Sequence, residues 1–445
     1  MGTAPIVAVR RFVTWQHAST NRRIFAAMVV VATVTVLGKV LAMAKDMTVA
    51  AYFGTSDAVD AFFIALTVPT FVISVIAGSI PAALVPVYLR VREREGVAEA
   101  GRLLGNVLVL AGTAIALACI LLALLAPVIM PVSGARFGGE KLVLTRQLFL
   151  LVLPGVLISG VSGMLAGVLN AHERFLLTAA TPASMSVLSI AFLVGAADRW
   201  GISALAVGLT MGYVVELIVL AWSVHTRHLV ASPQWAGWRD PHVQRVLGQY
   251  APLVIGGAVM STSPLIDQAM AATLGSGSVA QLAFGSKIVA AGLGIGGTAL
   301  STAMLPHFSR MVATHDWSGL RQTVRTYSRL VLVVGIAAVL MIVTFSEPIV
   351  RLLFERGQFL ASDTRAVARV QALYALQIPF YVLGILGVQL LHAVSANRVL
   401  MWVSIGNFFT NIIGNFVFMR VWGVAGIAFA TSLVYLISMI VLLTA

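Results

Sequence analysis

Lysine is the residue type whose placement in this sequence most directly suggests chemistry. Of the 29 basic residues, four are lysines, and three of these, Lys39, Lys45 and Lys287, lie in or beside long apolar stretches. A charged side chain within a membrane span costs about 2.5–3.5 kcal/mol and usually faces a cavity or a partner. The lysines therefore predict a cationic cavity that binds an anionic head group. Alternatively, they extend to the membrane surface or form local ion pairs, and for Lys45 beside Asp46 neither interpretation is favoured.

A second group of polar residues interrupts apolar stretches of the C-terminal half. Asp267 lies in one stretch and Thr431 in another. Three asparagines recur every four residues, on one face of a helix: Asn407, Asn411 and Asn415. Carboxylate, amide and hydroxyl oxygens suit a hard cation such as sodium. Hydrogen bonding between helices is the alternative, because asparagine and threonine often have that role in membrane bundles.

The composition identifies the elements that must hold these residues. The 445 residues are 59% hydrophobic and 10% charged, with a mean hydropathy of +0.97. Soluble domains are about 45–50% apolar and about 25% charged, so a soluble enzyme, a disordered protein and a secreted disulfide scaffold are all excluded. Because open strands leave backbone groups unpaired in lipid, we predict an all-α polytopic membrane protein.

Charge and motif content narrow the function further. A net charge of +13 would suggest nucleic-acid binding in a soluble protein, but membrane proteins carry such an excess in the loops that set their orientation. We therefore expect no nucleic-acid partner. The histidines lack metal-ligand spacing, and the glycine-rich segment 292–297 follows no strand, so we expect neither an enzyme nor a nucleotide site. Glu216, alone in its stretch, is either a proton-coupling group or a carboxylate that reaches the interface.

Apolar stretches of spanning length recur throughout the chain. A spanning helix needs about 20 mostly apolar residues. The twelve predicted spans lie near 24–44, 60–89, 103–131, 146–170, 175–197, 201–224, 247–272, 279–308, 326–346, 367–391, 399–419 and 423–444. Most loop arginines fall on one side of these spans, which predicts that both termini are cytoplasmic.

The sequence also repeats itself at a shift of about 220 residues. Residues 83–86 (ALVP) match 303–306 (AMLP), and residues 200–202 (WGI) match 422–424 (WGV). Each half holds six predicted spans, and an even number makes the two repeats parallel. We predict two pseudo-symmetric six-helix lobes around a central cavity. The predicted divisions are a cytoplasmic N-terminal segment 1–23, an N-lobe 24–224, a cytoplasmic linker 225–246 and a C-lobe 247–445.

Short motifs along the whole chain resemble those of one transporter family. The first are GKVLAMAKD at 38–46, AYFG at 51–54 and VDAFF at 59–63. Others follow in order: LVP at 84–86, GVLN at 167–170, RF at 174–175, GSGSV at 275–279, LP at 305–306 and LFERG at 353–357. Together they resemble the MurJ (MviN) lipid II flippases of the multidrug/oligosaccharidyl-lipid/polysaccharide exporter superfamily, whose core has twelve spans in two lobes.

The resemblance implies a function and a set of site residues. The function is to move an undecaprenyl-pyrophosphate-linked glycan from the cytoplasmic to the periplasmic leaflet, for peptidoglycan or cell-surface polysaccharide synthesis. The implied pyrophosphate cavity comprises Lys39, Lys45, Asp60 and Lys287. Some members carry a sodium site. Its counterparts here are Asp267, Asn411, Asn415 and Thr431, where Asn415 replaces an expected carboxylate.

The sequence departs from the family pattern in three respects. The cavity bases are lysines instead of arginines, and a lysine offers a point charge instead of a bidentate fork. Residues 70–75 carry no base where the family has a basic patch, and the sequence ends at Ala445, where lipid II flippases usually add two helices. Two cargoes therefore remain open: lipid II and another lipid-linked oligosaccharide, such as an exopolysaccharide repeat unit.

Three functions remain open from the sequence. The first is a glycan flippase that works as a monomer in the bacterial inner membrane, surrounded by membrane lipid. It would use rocker-switch alternating access and no cofactor except Na⁺ or H⁺ as a coupling ion. The second is a cation-coupled multidrug exporter of the same superfamily, although a pump for cationic drugs would favour acidic cavity residues. The third is a non-transporting scaffold in an envelope assembly, which would leave the intramembrane lysines without a purpose.

Overall fold

The structure is a bundle of α-helices. A computed structural model describes residues 20–134, 136–230, 237–394 and 396–444, and within these ranges no strand is present. The predicted all-α class is therefore confirmed. Residues 1–19, which make up most of the predicted N-terminal segment 1–23, and residues 231–236 of the predicted linker lie outside the described residues.

The helices of the N-terminal half end at His225. They are α1 Thr20–Phe53, α2 Asp57–Val72, α3 Gly78–Glu95, α4 Val97–Ser133, α5 Gly139–Val152, α6 Pro154–Ala171, α7 Phe175–Ala180, α8 Ala183–Trp200 and α9 Ser203–His225. A π-helical turn, Ile73–Ala77, joins α2 to α3.

The C-terminal half continues the same all-helical pattern after a short 3₁₀ turn, Gly237–Arg239. Its helices are α10 Pro241–Ala271, α11 Ser278–Ala313, α12 Trp317–Phe354, α13 Ala361–Ala375, α14 Gln377–Ala393, α15 Asn397–Trp422 and α16 Val424–Thr444.

Prolines account for interruptions within the predicted spans. A proline has no N–H, and its ring clashes with the carbonyl four residues earlier, so an α-helix breaks or kinks there. Pro154 opens α6 directly after α5, and Pro182 is the N-cap of α8 directly after α7. Pro81 has no N–H to donate to the carbonyl of Ala77, and Ala77 is the last residue of the π-helical turn. The second, fourth and fifth predicted spans are therefore each built from two α-helices.

Nine helical segments in the described part of the chain are long and apolar enough to cross a membrane. They are Asp57–Glu95, Val97–Ser133, Gly139–Ala171, Phe175–Trp200, Ser203–His225, Trp317–Phe354, Ala361–Ala393, Arg398–Trp422 and Val424–Thr444. The other three predicted spans fall on α1, α10 and α11, with 34, 31 and 36 residues. These three helices carry the predicted site residues Lys39, Lys45, Asp267 and Lys287, and the count of twelve spans stays a prediction.

The most extensive helix contacts lie within each half of the chain. In the N-terminal half α9 packs on α8 and α6, and in the C-terminal half α16 packs on α15 and α14. The two halves meet chiefly where α10 and α11 contact α2 and α3. Because α10 begins at Pro241, inside the segment 225–246 predicted as a linker, the lobe boundaries remain a prediction.

Two long helices present apolar surface to the outside of the bundle. Large side chains along them are more than half exposed: Leu117, Leu124 and Val128 on α4, and Val333 and Leu340 on α12. A contiguous apolar surface of this kind indicates contact with another apolar phase. For helices of spanning length, that phase is the hydrocarbon of a bilayer.

Candidate functional site

Two of the predicted cavity lysines meet at one carboxylate. Lys45 and Asp46 are neighbours on α1, with 3.1 Å between Nζ and Oδ1, and Lys287 on α11 reaches the same carboxylate with 3.0 Å between Nζ and Oδ2. Asp46 is buried, whereas the Lys45 and Lys287 side chains keep 21% and 31% of their surface exposed. The two halves of the chain therefore contribute one cation each to a partly open site.

The charges at this site do not cancel. Two ammonium groups face one carboxylate, so the cluster keeps a net positive charge. The Lys287 ammonium also lies 5.7 Å from the centre of the Phe63 ring, a cation–π contact that holds it against α2. A cationic site with exposed ammonium groups suits the binding of an anion, since each lysine can exchange its bond to Asp46 for one to a phosphate oxygen.

Lys39, the third predicted cavity lysine, lies apart from this cluster. Its side chain is on an exposed part of α1, flanked by Leu37 and Val40, which are 56% and 59% exposed. It forms no ion pair with any residue that the structure describes. The structure thus brings together Lys45 and Lys287 of the predicted set, through an acidic residue that was not part of it.

Asp60 contacts a different set of groups from the one expected. It is fully buried at the start of α2, and its Oδ2 lies 2.8 Å from Lys141 Nζ on α5. The same carboxylate accepts hydrogen bonds from the backbone N–H groups of Gly277 (2.7 Å) and Ala280 (2.8 Å), at the beginning of α11. An acidic side chain at a helix N-terminus satisfies unpaired N–H groups and the helix dipole. Asp60 therefore joins α2, α5 and α11.

Further contacts between the halves surround Asp60. Thr55 Oγ1 donates a hydrogen bond of 2.7 Å to Asp363 Oδ1, and the Gln358 N–H donates one of 2.9 Å to the Ala51 carbonyl. Gly54 has a left-handed φ of +56°, and a Cβ there would collide with the Gln358 carbonyl oxygen. We call these contacts, together with those of Asp60, the latch. The loops that carry the latch residues all lie at the end of the bundle that is predicted to be periplasmic.

The predicted oxygen site is assembled around Asp267. Its Oδ1 accepts hydrogen bonds from Asn411 Nδ2 (3.0 Å) and Asn415 Nδ2 (2.7 Å), and Thr431 Oγ1 lies 3.4 Å from its Oδ2. All four residues therefore converge, from α10, α15 and α16. Asn407, on the same face of α15, lies outside this group and donates a hydrogen bond to Ser438 Oγ instead.

The residues around Asp267 form a suitable ligand set for sodium. The Oδ1 atom of Asn415 is buried and has no hydrogen-bond partner among the described atoms. Turning the amides of Asn411 and Asn415 would direct their oxygens, with Asp267 and Thr431, toward one ion. In the described part of the chain no three His, Cys, Asp or Glu residues cluster. A set with a single carboxylate and neutral oxygens suits a monovalent hard cation better than a transition metal.

Sequence reasoning missed Lys141 and the second role of Asp46. Lys141 is not among the predicted site residues, yet it bridges Asp60 and Asp57, with 2.5 Å between Nζ and Asp57 Oδ1. The available signal was residue type, because Lys141 is the fourth lysine of a chain that otherwise uses arginine. Glu216 is buried on α9. It makes no described contact with the latch, with the lysine cluster (Lys45, Asp46 and Lys287) or with the Asp267 group (Asp267, Asn411, Asn415 and Thr431).

Comparisons with known proteins agree with the fold and motifs. The model of the family "Lipid II flippase MurJ" matches residues 49–445. The lipid II flippase MurJ of Burkholderia cenocepacia is 26% identical over 420 residues, which covers 91% of this chain and 80% of that protein.

Solved structures show the same architecture. A lipid II flippase MurJ in an inward closed conformation has a TM-score of 0.78 at 23% identity, covering 94% of this chain and 87% of that one. An inward-facing multidrug resistance MATE family transporter of the MOP superfamily has a TM-score of 0.75 at 14% identity, covering 93% and 96%. The family match extends over most of the sequence. The chain therefore belongs to the lipid II flippase MurJ family of multi-pass inner-membrane proteins.

Proposed function

We propose that this protein moves an undecaprenyl-pyrophosphate-linked glycan, lipid II or a related lipid-linked oligosaccharide, from the cytoplasmic to the periplasmic leaflet by alternating access. The family membership supports the transport of a lipid-linked glycan. The single observation that carries the proposal is the convergence of Lys45 and Lys287, from opposite halves, on Asp46. Such a site can bind the pyrophosphate of the head group while the polyprenyl tail stays in lipid.

The net positive charge explains how the cargo would enter the site. Pyrophosphate carries more negative charge than the single carboxylate of Asp46, so both ammonium groups gain attraction when they exchange one for the other. Each lysine ammonium has three N–H donors and can rotate. It can therefore follow a phosphate oxygen without needing a fixed bidentate geometry. Asp46 remains beside the lysines as a competing anion. That competition favours release once the cargo faces the other leaflet.

The latch supports the alternating part of the mechanism. Asp46 and Lys287 connect α1 to α11, and the latch contacts lie at the end of α1 and at the beginning of α11. Breaking the bond between Asp46 and Lys287 therefore loosens two helices that the latch also holds at their ends, α1 through Ala51 and Gln358, and α11 through Asp60. At the other end, the halves share an exposed pair, with 3.1 Å between His242 Nε2 and Glu95 Oε2. A buried closure at one end and an exposed one at the other suit a transporter that opens first toward the cytoplasm.

The Asp267 group supplies the coupling-ion part of the proposal. Asp267, Asn411, Asn415 and Thr431 would hold a sodium ion, whose charge would neutralise a buried carboxylate. The hydrogen bonds of these four residues hold α10, α15 and α16 together at the place where the ion would bind.

Sodium is expected to stabilise the purified protein through this group. At a hundred times its dissociation constant, a ligand that binds only the folded state stabilises it by about 2.7 kcal/mol. Thermal unfolding in sodium chloride, compared with choline chloride at equal ionic strength, measures this. Asn415→Leu should abolish the difference. Asn407→Leu, on the same helix face but bonded to Ser438, should keep it. Equal melting temperatures of the native protein in both salts would contradict the sodium assignment.

Translocation in proteoliposomes tests the function itself. We expect the purified protein to move lipid II or an undecaprenyl-pyrophosphate-linked oligosaccharide between leaflets, scored by accessibility of the head group to an impermeant enzyme. Rescue of a bacterial strain depleted of its lipid II flippase separates the two cargoes, because an exopolysaccharide flippase would not restore growth. If a cationic drug moved against a sodium or proton gradient while neither lipid moved, the multidrug-exporter alternative would replace this proposal.

A further inference from the structure

A cavity of about 340 Å³ lies beside the lysine cluster, in the C-terminal half. That volume falls within the range of small-ligand pockets, about 300–1,000 Å³. Helix α11 lines it with Ala283, Ser286 and Ala290, which recur on one helix face. Lys287 follows Ser286 directly, so α11 presents the cation and the cavity wall on neighbouring faces.

Amides and aromatic rings, and no cation, are found among the described residues that line the cavity with polar groups. Its lining includes Gln268, Gln377, Tyr374, Tyr381 and Tyr435, and also Asp267. The rings of Tyr381 and Tyr435 meet edge to face at 5.1 Å. Because the one charged residue among the described lining residues is an acid, the lining disfavours a pyrophosphate and accepts a neutral, hydrogen-bonding group.

Gln377 contributes an amide group to the wall of the cavity. It is 7% exposed, lines the cavity and forms no side-chain hydrogen bond with any described residue. By contrast, Gln268 already accepts a hydrogen bond from Thr67 Oγ1 at 2.5 Å, which fixes this wall of the cavity against α2. Gln377 therefore has both its donor and its acceptor available for a ligand.

We propose that this cavity is the sugar subsite of the transported head group, with Gln377 bonding adjacent hydroxyl or acetamido groups and the tyrosine rings packing against the sugar ring. This inference rests on the proposed function, because it places the glycan next to the pyrophosphate held by Lys45 and Lys287. Planar amides match pairs of neighbouring sugar hydroxyls, since each amide offers a donor and an acceptor side by side. Aromatic faces cover the C–H surface of a sugar ring. Selection among glycans thus occurs in the C-terminal half.

Binding of two lipids to the full chain in nanodiscs tests the subsite. One probe is undecaprenyl pyrophosphate, and the other is the same lipid bearing an N-acetylglucosamine–N-acetylmuramic acid unit. The native protein should bind the glycan-bearing lipid more tightly. Gln377→Leu should weaken that binding about tenfold, the value of one or two buried hydrogen bonds, and leave the bare lipid unchanged. Tyr435→Phe, which removes a single oxygen, should give a smaller loss of the same kind.

Gln371→Leu is the matched control. Gln371 is also buried, on α13, and both its amide atoms are without partners, but it does not line the cavity. Its replacement should leave both affinities unchanged. If the native protein bound the two lipids equally, or if Gln377→Leu and Tyr435→Phe changed neither affinity, the subsite would be wrong while the flippase proposal stood. If the native protein bound neither lipid, the flippase proposal itself would fail and the subsite with it.

Discussion

Lys287→Ala is expected to lower the rate of head-group translocation by at least an order of magnitude. The substitution leaves one cation, Lys45, facing Asp46, so the cluster becomes neutral and no longer attracts pyrophosphate. A charge-assisted hydrogen bond contributes about 1.5–3 kcal/mol, which corresponds to a roughly 10–150-fold loss of affinity. Because Asp46 keeps its bond to Lys45, the fold should survive. Translocation in proteoliposomes and the elution profile of the purified variant measure the two effects separately.

Three further variants define what Lys287 contributes. Lys287→Arg keeps the charge and should retain most of the activity. Arg351→Ala removes a surface cation that is paired with Glu347 and Glu355 on α12, and it should have no effect. Lys39→Ala tests whether the exposed lysine of α1 joins the cavity during transport. Full translocation by both Lys39→Ala and Lys287→Ala would refute the cationic cavity.

The sequence was sufficient to identify the helical class, the four residues that converge around Asp267, and two of the three residues that meet at Asp46. The spacing of Asn411 and Asn415 places both on one face of α15, and their contact with Asp267 follows once α10 and α15 pack together. Lys45 and Lys287 were identified by residue type, since a charge in an apolar stretch needs a compensating environment. The spacing of residues along a helix and the cost of a charge in an apolar stretch both depend on short segments of sequence. Both can therefore be recognised before the fold is known.

Contacts between distant segments could not be predicted in this way. Asp46 looked like the local partner of Lys45, and only the three-dimensional structure shows that it also bonds Lys287 on α11. Asp60 and Lys141 lie on α2 and α5, and nothing in either segment specifies the other. The prolines that divide the predicted spans are visible in the sequence. Whether each one kinks, ends or merely opens a helix depends on the neighbours that satisfy the released backbone groups.

The latch provides the second large effect: Asp60→Ala is expected to destabilise the closed protein by about 3–5 kcal/mol, the usual cost of removing one partner from a buried ion pair. The backbone N–H groups of Gly277 and Ala280 lose their acceptor, and Lys141 keeps only its bond to the exposed Asp57. Asp57→Ala is the matched control. It removes the other acid bonded to Lys141, but the Asp57 side chain is 59% exposed, so its loss should cost about 1 kcal/mol or less. Thermal unfolding compares the two variants.

A latch that gates transport must also control access, which stability alone does not report. In a Cys119→Ala background, a cysteine placed at Thr55 should react slowly with an impermeant maleimide, because Thr55 is packed against Asp363 in the closed state. Adding Asp60→Ala should raise that labelling rate several-fold, whereas adding Asp57→Ala should leave it nearly unchanged. Because Lys141 bonds to both acids, equal effects of the two substitutions would mean that the lysine, and not the burial of Asp60 against α11, holds the halves together. The gate would then be an exposed ion pair that weakens with added salt, whereas a latch centred on the buried Asp60 stays closed at high ionic strength until the cargo separates Asp46 from Lys287.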